Sequence, residues 1–266
     1  DGDDHMAQAG DVDAWLDHVE AFTTGSVIAR TAPMRSRADR AVISTMGGFG
    51  VRVGDEDIPP TAWGSRQARQ LCKRLAVAAG QPVPRDQLIE MLWPDESDAN
   101  RLGARLSVLL SNIRRVLGGG LVADRAAVAL DVATVDLDLR RIQDALAGGD
   151  DRTAVEAYAG PVLPEDAYED WAAEAGERIV RAVIGAHRRL ATEAATAAHV
   201  DDVVGHTSAI LELDPFDEWA HELLVHTLAA AGRPGDAARA DERYRQRMTE
   251  LGVHPQDLLG RLAIER

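Results

Sequence analysis

Arginine, serine and asparagine side chains are concentrated in residues 99–118, ANRLGARLSVLLSNIRRVLG, a stretch that contains no aspartate or glutamate. Guanidinium groups pair with guanine or phosphate, carboxamides pair with adenine, and hydroxyl groups bind phosphate. The whole sequence carries a formal net charge of −15, so this stretch is a local exception in an acidic chain. These residue types favour recognition of a nucleic acid.

The same stretch has the period of an amphipathic helix at about 100° per residue. Its apolar side chains fall on one arc of roughly 120°; they are Leu102, Leu106, Leu109, Leu110, Ile113, Val116 and Leu117. The candidate nucleic-acid-binding residues occupy the rest of the wheel; they are Arg101, Arg105, Ser107, Ser111, Asn112, Arg114 and Arg115. We therefore expect one face to pack on a core and the other to enter a major groove, with Arg105 and Asn112 reading bases. The alternative is an ordinary solvated surface helix.

The elements around this helix have the order of a winged helix-turn-helix. Residues 66–79 and 85–93 predict two preceding helices, and alternation at residues 49–53 predicts a strand before them. Two apolar runs that flank Asp124–Ala127 predict a hairpin after the arginine-rich helix. Arg125 would lie at the tip of this hairpin and reach an adjacent groove. The alternative for Arg125 is a solvated turn residue.

After about Asp136 the sequence predicts an all-helical domain. Residues 196–215 resemble residues 228–248 with an offset of about 34 residues, the period of the tetratricopeptide (TPR) helical hairpin. The segments His199–Asp202 and Arg233–Asp236 are then equivalent turns. From Arg141 onward there are 24 acidic and 13 basic residues, so this domain should repel DNA and bind proteins.

Composition and motif spacing exclude several classes of protein. The single cysteine, Cys72, forms no intramolecular disulfide and favours a reducing compartment. No apolar run approaches the roughly 20 residues of a membrane span, so the expectation is a cytoplasmic protein without membrane contact. His221 and His226 are five positions apart, whereas a helical zinc motif needs four. No catalytic residue, metal or cofactor is predicted, and the chain is not expected to be an enzyme.

The stretch from Phe49 to Gly118 closely resembles the DNA-binding domain of SARP-type (antibiotic regulatory protein) transcriptional regulators. A helix at Arg66–Ala79 precedes GQPVPRDQLIEMLW, and the next helix ends in IRRVLG, as in that family. Further along, LPEDAYEDWA and the region to ELGVHPQDLL resemble the bacterial transcriptional activation domain (BTAD) of the same regulators. The resemblance covers roughly Met46 to Leu259.

The resemblance implies a mainly α fold in two domains. The first, expected at residues 46–136, is a winged helix-turn-helix with a small antiparallel sheet and a wing. The second, at residues 137–266, is a TPR-like all-α domain of helical hairpins. Residues 1–45 are interpreted as a tag remnant (DGDDHM), a short helix and an arginine-rich linker.

The function implied is promoter binding by side-by-side protomers on direct repeats, with recruitment of RNA polymerase. The expected partners are promoter DNA, RNA polymerase or another protein, and a second copy of the chain in a homodimer. Because the acidic segment DESDAN precedes the arginine-rich helix, contacts from a second protomer would strengthen binding. The alternatives are a protein-interaction adaptor, or a regulatory module of a larger protein, whose winged helix does not bind DNA.

Overall fold

The computed structural model describes residues 40–260, which divide into two compact units. The first unit comprises the described residues up to Ala147 together with Ala159–Gly176. The second comprises Gly148–Tyr158 and the described residues from Glu177 onward. The tag remnant, the short N-terminal helix and most of the arginine-rich linker lie outside the described residues.

The described chain is mainly helical, as predicted, and its sheets belong to the first unit. That unit begins with strands β1 (Ala41–Ser44), β2 (Gly50–Val53) and β3 (Glu56–Asp57), a 3₁₀ helix (Pro60–Trp63), helix α1 (Arg66–Val77), strand β4 (Val83–Pro84), helices α2 (Arg85–Leu92) and α3 (Ala99–Leu117), strands β5 (Leu121–Ala123), β6 (Ala127–Leu130) and β7 (Val135–Leu137), and helix α4 (Asp138–Ala147). After these come helix α5 (Asp151–Ala157), a second 3₁₀ helix (Pro164–Asp166), and helices α6 (Asp170–Thr196), α7 (Val200–Leu213), α8 (Glu218–Ala230) and α9 (Pro234–Glu250).

The first unit contains two small sheets besides its helices. One has the strand order β3-β2-β1-β7, with β1 antiparallel to β2 and parallel to β7. The other has the order β4-β6-β5 and contains the predicted hairpin as β5 and β6. The sequence predicts β2 and the hairpin but not β1, because its four residues follow the arginine-rich segment and its parallel partner is distant in the chain. The sheet therefore starts at Ala41, ahead of the expected domain start at residue 46.

Helix α1 packs its apolar face into the core of the first unit. The Ser65 hydroxyl caps the helix by accepting a hydrogen bond from the Ala68 amide at 3.1 Å. Leu71, Cys72 and Leu75 are fully buried, and burial strongly raises the pKa of the Cys72 thiol. Cys72 is thus a core residue in the middle of an apolar helix face.

Helix α3 has the two faces that its sequence predicts. The six residues Leu102, Leu106, Leu109, Leu110, Ile113 and Leu117 are 6% exposed or less, and Val116 is partly buried against the same core. Asp98 caps the first turn, since its carboxylate accepts a hydrogen bond from the Arg101 amide. Each buried aliphatic side chain contributes about 1.5–3 kcal/mol, so the orientation of the helix about its axis is strongly determined.

A later segment of the chain pairs with the loop that follows β1. The Leu163 amide donates to the Thr45 carbonyl at 2.8 Å, and the Gly47 amide donates to the Pro161 carbonyl at 2.8 Å. Met46 and Val162 form an antiparallel bridge between these hydrogen bonds. Residues 159–176 therefore belong to the first unit, although the sequence assigns them to the helical domain.

Lys73 on α1 is the buried cation of this contact. Its side chain is about 4% exposed, and its ammonium group lies 3.0 Å from Glu165 Oε1 and also binds Asp166. The Phe49 ring lies 5.7 Å from the same nitrogen. Although burial raises the pKa of Glu165, hydrogen bonds from its own backbone, Lys73 and the Phe49 amide lower it overall. The charge of Lys73 does not add to the positive charge of α3, because these two carboxylates neutralise it.

The second unit repeats a helical hairpin with the predicted offset. His199 and Arg233 are the N-cap residues of α7 and α9, so both predicted turns are confirmed. Buried positions recur about 34 residues apart; the pairs are Val203 and Ala237, Thr207 and Asp241, and Ile210 and Tyr244. Helix α8 packs against both α7 and α9. None of the described helices is long and apolar enough to cross a membrane.

Two histidines meet between α6 and α7 of this unit. His187 Nδ1 lies 3.1 Å from His206 Nδ1, and the two rings are half-buried. Burial lowers the pKa of His187, and the adjacent His206 lowers it further. Burial also lowers the pKa of His206, helped by Arg152 and opposed by Asp202. Both imidazoles are therefore held neutral at pH values where a solvated histidine is already charged.

We expect the second unit to lose thermal stability as the pH falls below about 6.5, the pKa of a solvated histidine. Below this pH the two histidines bind protons in the unfolded chain but not in the folded protein. The stabilisation from the neutral pair is therefore fully present above this pH and is lost as the pH falls towards the lower pKa values of the folded state. The His187→Gln/His206→Gln variant should show a weaker decline in melting temperature, followed by circular dichroism. The exposed His199→Gln serves as the control, and equal pH dependence of all three proteins would contradict the expectation.

Candidate nucleic-acid interface

The exposed side of α3 carries arginines that no carboxylate neutralises within the described part of the chain. Arg101, Arg114 and Arg115 are exposed, and none of them forms an ion pair with another described residue. The second unit differs, because Arg188 and Arg189 each lie 2.6 Å from an aspartate oxygen. The uncompensated positive charge of α3 is the condition for binding a polyanion.

A single strip of side chains runs along the most exposed line of α3. It contains Arg101, Ala104, Val108, Ser111 and Arg115, which follow one another at helical spacing. Guanidinium groups thus lie at the two ends of the strip, with two small apolar side chains between them. We call these five residues the α3 strip.

Ser107 lies beside the strip and is already engaged. Its hydroxyl donates to the Gly103 carbonyl at 2.8 Å, so its oxygen remains only as an acceptor. Phosphate oxygens need donors, which makes Ser107 a poorer phosphate ligand than the sequence suggests.

Arg105 is held in place by the segment that precedes the helix. Its Nη1 lies 2.6 Å from both carboxylate oxygens of Glu96, and its guanidinium carbon lies 4.3 Å from the centre of the Trp93 ring. The sequence places Arg105 on the free face as a base reader, whereas the structure shows a guanidinium paired with Glu96. Opening of this pair would free Nη1 of Arg105 to bind a nucleic acid.

Asn112 lies at the edge of the exposed face, next to Gly64. Its Nδ2 lies 3.2 Å, and Arg115 Nη2 3.3 Å, from the position that a Cβ atom at Gly64 would occupy. Gly64 has a φ of +73°, a conformation that glycine adopts at little cost. Any side chain at Gly64 would displace these two donors. Asn112 is half-buried, so it lies to the side of the α3 strip.

The hairpin of β5 and β6 presents Arg125 on a well-defined turn. The Asp124 carboxylate accepts hydrogen bonds from the amides of Ala126 and Ala127 at 2.7 and 2.8 Å. The hydrogen bond from Ala127 has the larger effect and that from Ala126 the smaller, and both lower the pKa of the Asp124 carboxyl group. The ionised carboxylate keeps both bonds, and therefore the turn, at neutral pH. Arg125 is exposed and has no carboxylate partner among the described residues.

The family model named "Bacterial transcriptional activator domain" matches residues 124–265, more than half of the chain. The chain belongs to this family. No curated protein matches this chain. The Mycobacterium tuberculosis EmbR structure, solved in complex with a low affinity phosphopeptide, is similar, with a TM-score of 0.63 and 22% identity. The match covers 84% of this chain and 64% of the EmbR chain.

Membership of the BTAD family confirms the resemblance to SARP-type regulators, and this family is one of transcription regulators. The likeness to EmbR supports the fold, a winged helix followed by a helical domain. The BTAD match begins at Asp124, within the turn of the hairpin. No group of three or more metal-ligating side chains occurs among the residues described.

Two features of the interface in this BTAD protein escape sequence reasoning. Val108 lies at the centre of the α3 strip, although the sequence only places it outside the apolar arc. Glu96, which lies in the loop before α3, forms an ion pair with Arg105, and no hydrophobic period in the sequence predicts this ion pair. Its only trace in the sequence is the acidic segment directly before α3.

Proposed function

We propose that this BTAD protein is a sequence-specific DNA-binding transcription activator that reads the major groove with α3. The α3 strip supports this function, since Arg101 and Arg115, which have no ion-pair partner among residues 40–260, lie opposite the face of the helix that packs on the core. A helix fixed in this way can present the same donors to DNA in every complex. Because the backbone of the helix is already fixed in the folded protein, binding to DNA does not have to order it.

Five of the candidate residues have distinct roles in the proposal. Arg101 and Arg115 contact bases or phosphates from the ends of the strip, and Ser111 donates to a phosphate between them. Arg114 contacts the backbone next to the groove, and Arg125 enters the adjacent groove from the hairpin turn. The acidic second unit contacts RNA polymerase or another protein, and a second copy of the chain binds the neighbouring direct repeat.

Selection from a library of random DNA duplexes, using the purified chain at several salt concentrations, tests the proposed function. We expect enrichment of one sequence and an affinity that falls steeply with salt, because arginine contacts release counterions. Enrichment should disappear when α3 carries Arg101→Ala and Arg115→Ala. Retention of DNA without sequence preference, or no retention, would favour the adaptor function.

We expect Glu96→Gln to strengthen binding to the selected duplex by about three- to tenfold at low salt. The substitution removes a carboxylate that repels the DNA phosphates, and this repulsion is largest when little salt screens it. The substitution also releases Arg105 for DNA. The pair is about one-third exposed, so its loss should cost less than about 1 kcal/mol of stability. Titration by fluorescence anisotropy measures the change.

Asp95→Asn is the matched control for this prediction. It removes the same charge from the same loop and leaves the pair of Glu96 and Arg105 intact. An effect of Glu96→Gln no larger than that of Asp95→Asn would show that Arg105 is not released for DNA.

A further inference from the structure

We infer that Val108, with Ala104 beside it, contacts the methyl group of a thymine in the operator. The inference rests on the proposed function and adds one feature of the DNA sequence that α3 selects. Val108 is an apolar side chain in the centre of a strip that has an arginine at each end.

Val108 is 62% exposed, although it belongs to a helix whose leucine and isoleucine residues are all buried. A single exposed apolar residue is ordinary on a protein surface and carries no argument by itself. The position of Val108 is what matters, because Arg101 and Arg115 lie on the same strip seven residues before and seven residues after it. DNA that contacts both arginines crosses the helical turn that carries Val108.

The chemistry of the major groove then restricts what Val108 can face. Valine has no donor or acceptor, so it would leave the polar edge of guanine, cytosine or adenine without a partner. Thymine is the base that presents a methyl group in this groove. Ala104 lies one turn before Val108 and leaves space for that methyl group without adding a polar atom.

The backbone of α3 holds this contact in one place. Leu106, Leu109 and Leu110 flank Val108 in the sequence and are buried in the core. The β-branched side chain has one strongly preferred rotamer in a helix. Val108 therefore offers a stiff apolar surface at a constant depth, which favours one base position over its neighbours.

The test uses the duplex selected from the random library and replaces each thymine in turn with uracil, which removes only the methyl group. We expect one thymine per bound protomer at which this change weakens binding of the parent chain about three- to tenfold, the effect of losing one buried methyl group. Val108→Ala should bind the thymine duplex less tightly and should lose most of the thymine-to-uracil difference at that position.

Val253→Ala is the matched control, since Val253 is an exposed valine of the second unit. It should keep the full thymine-to-uracil difference. Binding of the selected duplex with no thymine whose effect depends on Val108 would overturn the inference and leave the proposed function standing. Failure of the library to yield any enriched sequence would overturn both.

Discussion

Replacement of Arg101 and Arg115 together with alanine is expected to weaken binding to the selected duplex by about 2–6 kcal/mol, taking about 1–3 kcal/mol for each arginine. The two guanidinium groups end the α3 strip and have no carboxylate partner among the described residues. Both side chains are exposed, so the folded state should keep its stability. Fluorescence anisotropy at several salt concentrations measures the affinity.

The salt dependence separates the two kinds of contact. A phosphate-contacting arginine lowers the slope of log affinity against log salt by about one unit when it is removed, whereas a base-contacting arginine leaves the slope nearly unchanged. The control is Arg181→Ala/Arg243→Ala, which removes two exposed arginines from the second unit. An equal loss in this control would mean that net charge, and not the α3 strip, determines the affinity.

Lys73→Met is expected to lower the free energy of unfolding by about 3–5 kcal/mol, the usual effect of removing one partner from a buried ion pair. The substitution fills a similar volume but leaves the Asp166 carboxylate, which is largely buried, without its cation. Urea denaturation followed by tryptophan fluorescence measures the change, because Trp63 and Trp93 are buried in the same unit.

Two further variants identify the cause of this loss. Lys73→Met/Asp166→Asn should recover part of the stability, because the second substitution removes the uncompensated charge. Arg66→Met changes an exposed arginine on the same helix and should stay within about 0.5 kcal/mol of the parent. A Lys73→Met variant as stable as Arg66→Met would show that the buried ion pair is not needed for stability.

Helix α3 could be predicted in detail because its information is local. The helical period continues over the whole of Ala99–Leu117, and each residue of the predicted apolar arc is buried or partly buried. The hairpin of β5 and β6 and the two turns of the second unit are confirmed for the same reason. Their turn residues and apolar periods occur within a few positions of one another.

The contacts that the sequence does not predict join residues far apart in the chain. Lys73 and Asp166 are separated by 93 positions, so the lysine looks like one more cation near α3. Strand β1 pairs with β7, which lies about as far away in the sequence. The four residues of β1 are too few to show a clear alternation of apolar and polar side chains. Arg105 and Glu96 are only nine positions apart, but their pairing depends on the conformation of a loop.

Lys73 is the one lysine in the sequence, and every other permanent cation is an arginine. Guanidinium groups stay charged throughout the physiological pH range and are not substrates of acetyltransferases that act on ammonium groups. The α3 strip therefore keeps its positive charge under conditions in which acetylation neutralises surfaces that are rich in lysine. The one ε-amino group is enclosed by Glu165, Asp166 and the Phe49 ring, so an acyl donor reaches it only after this part of the first unit has opened.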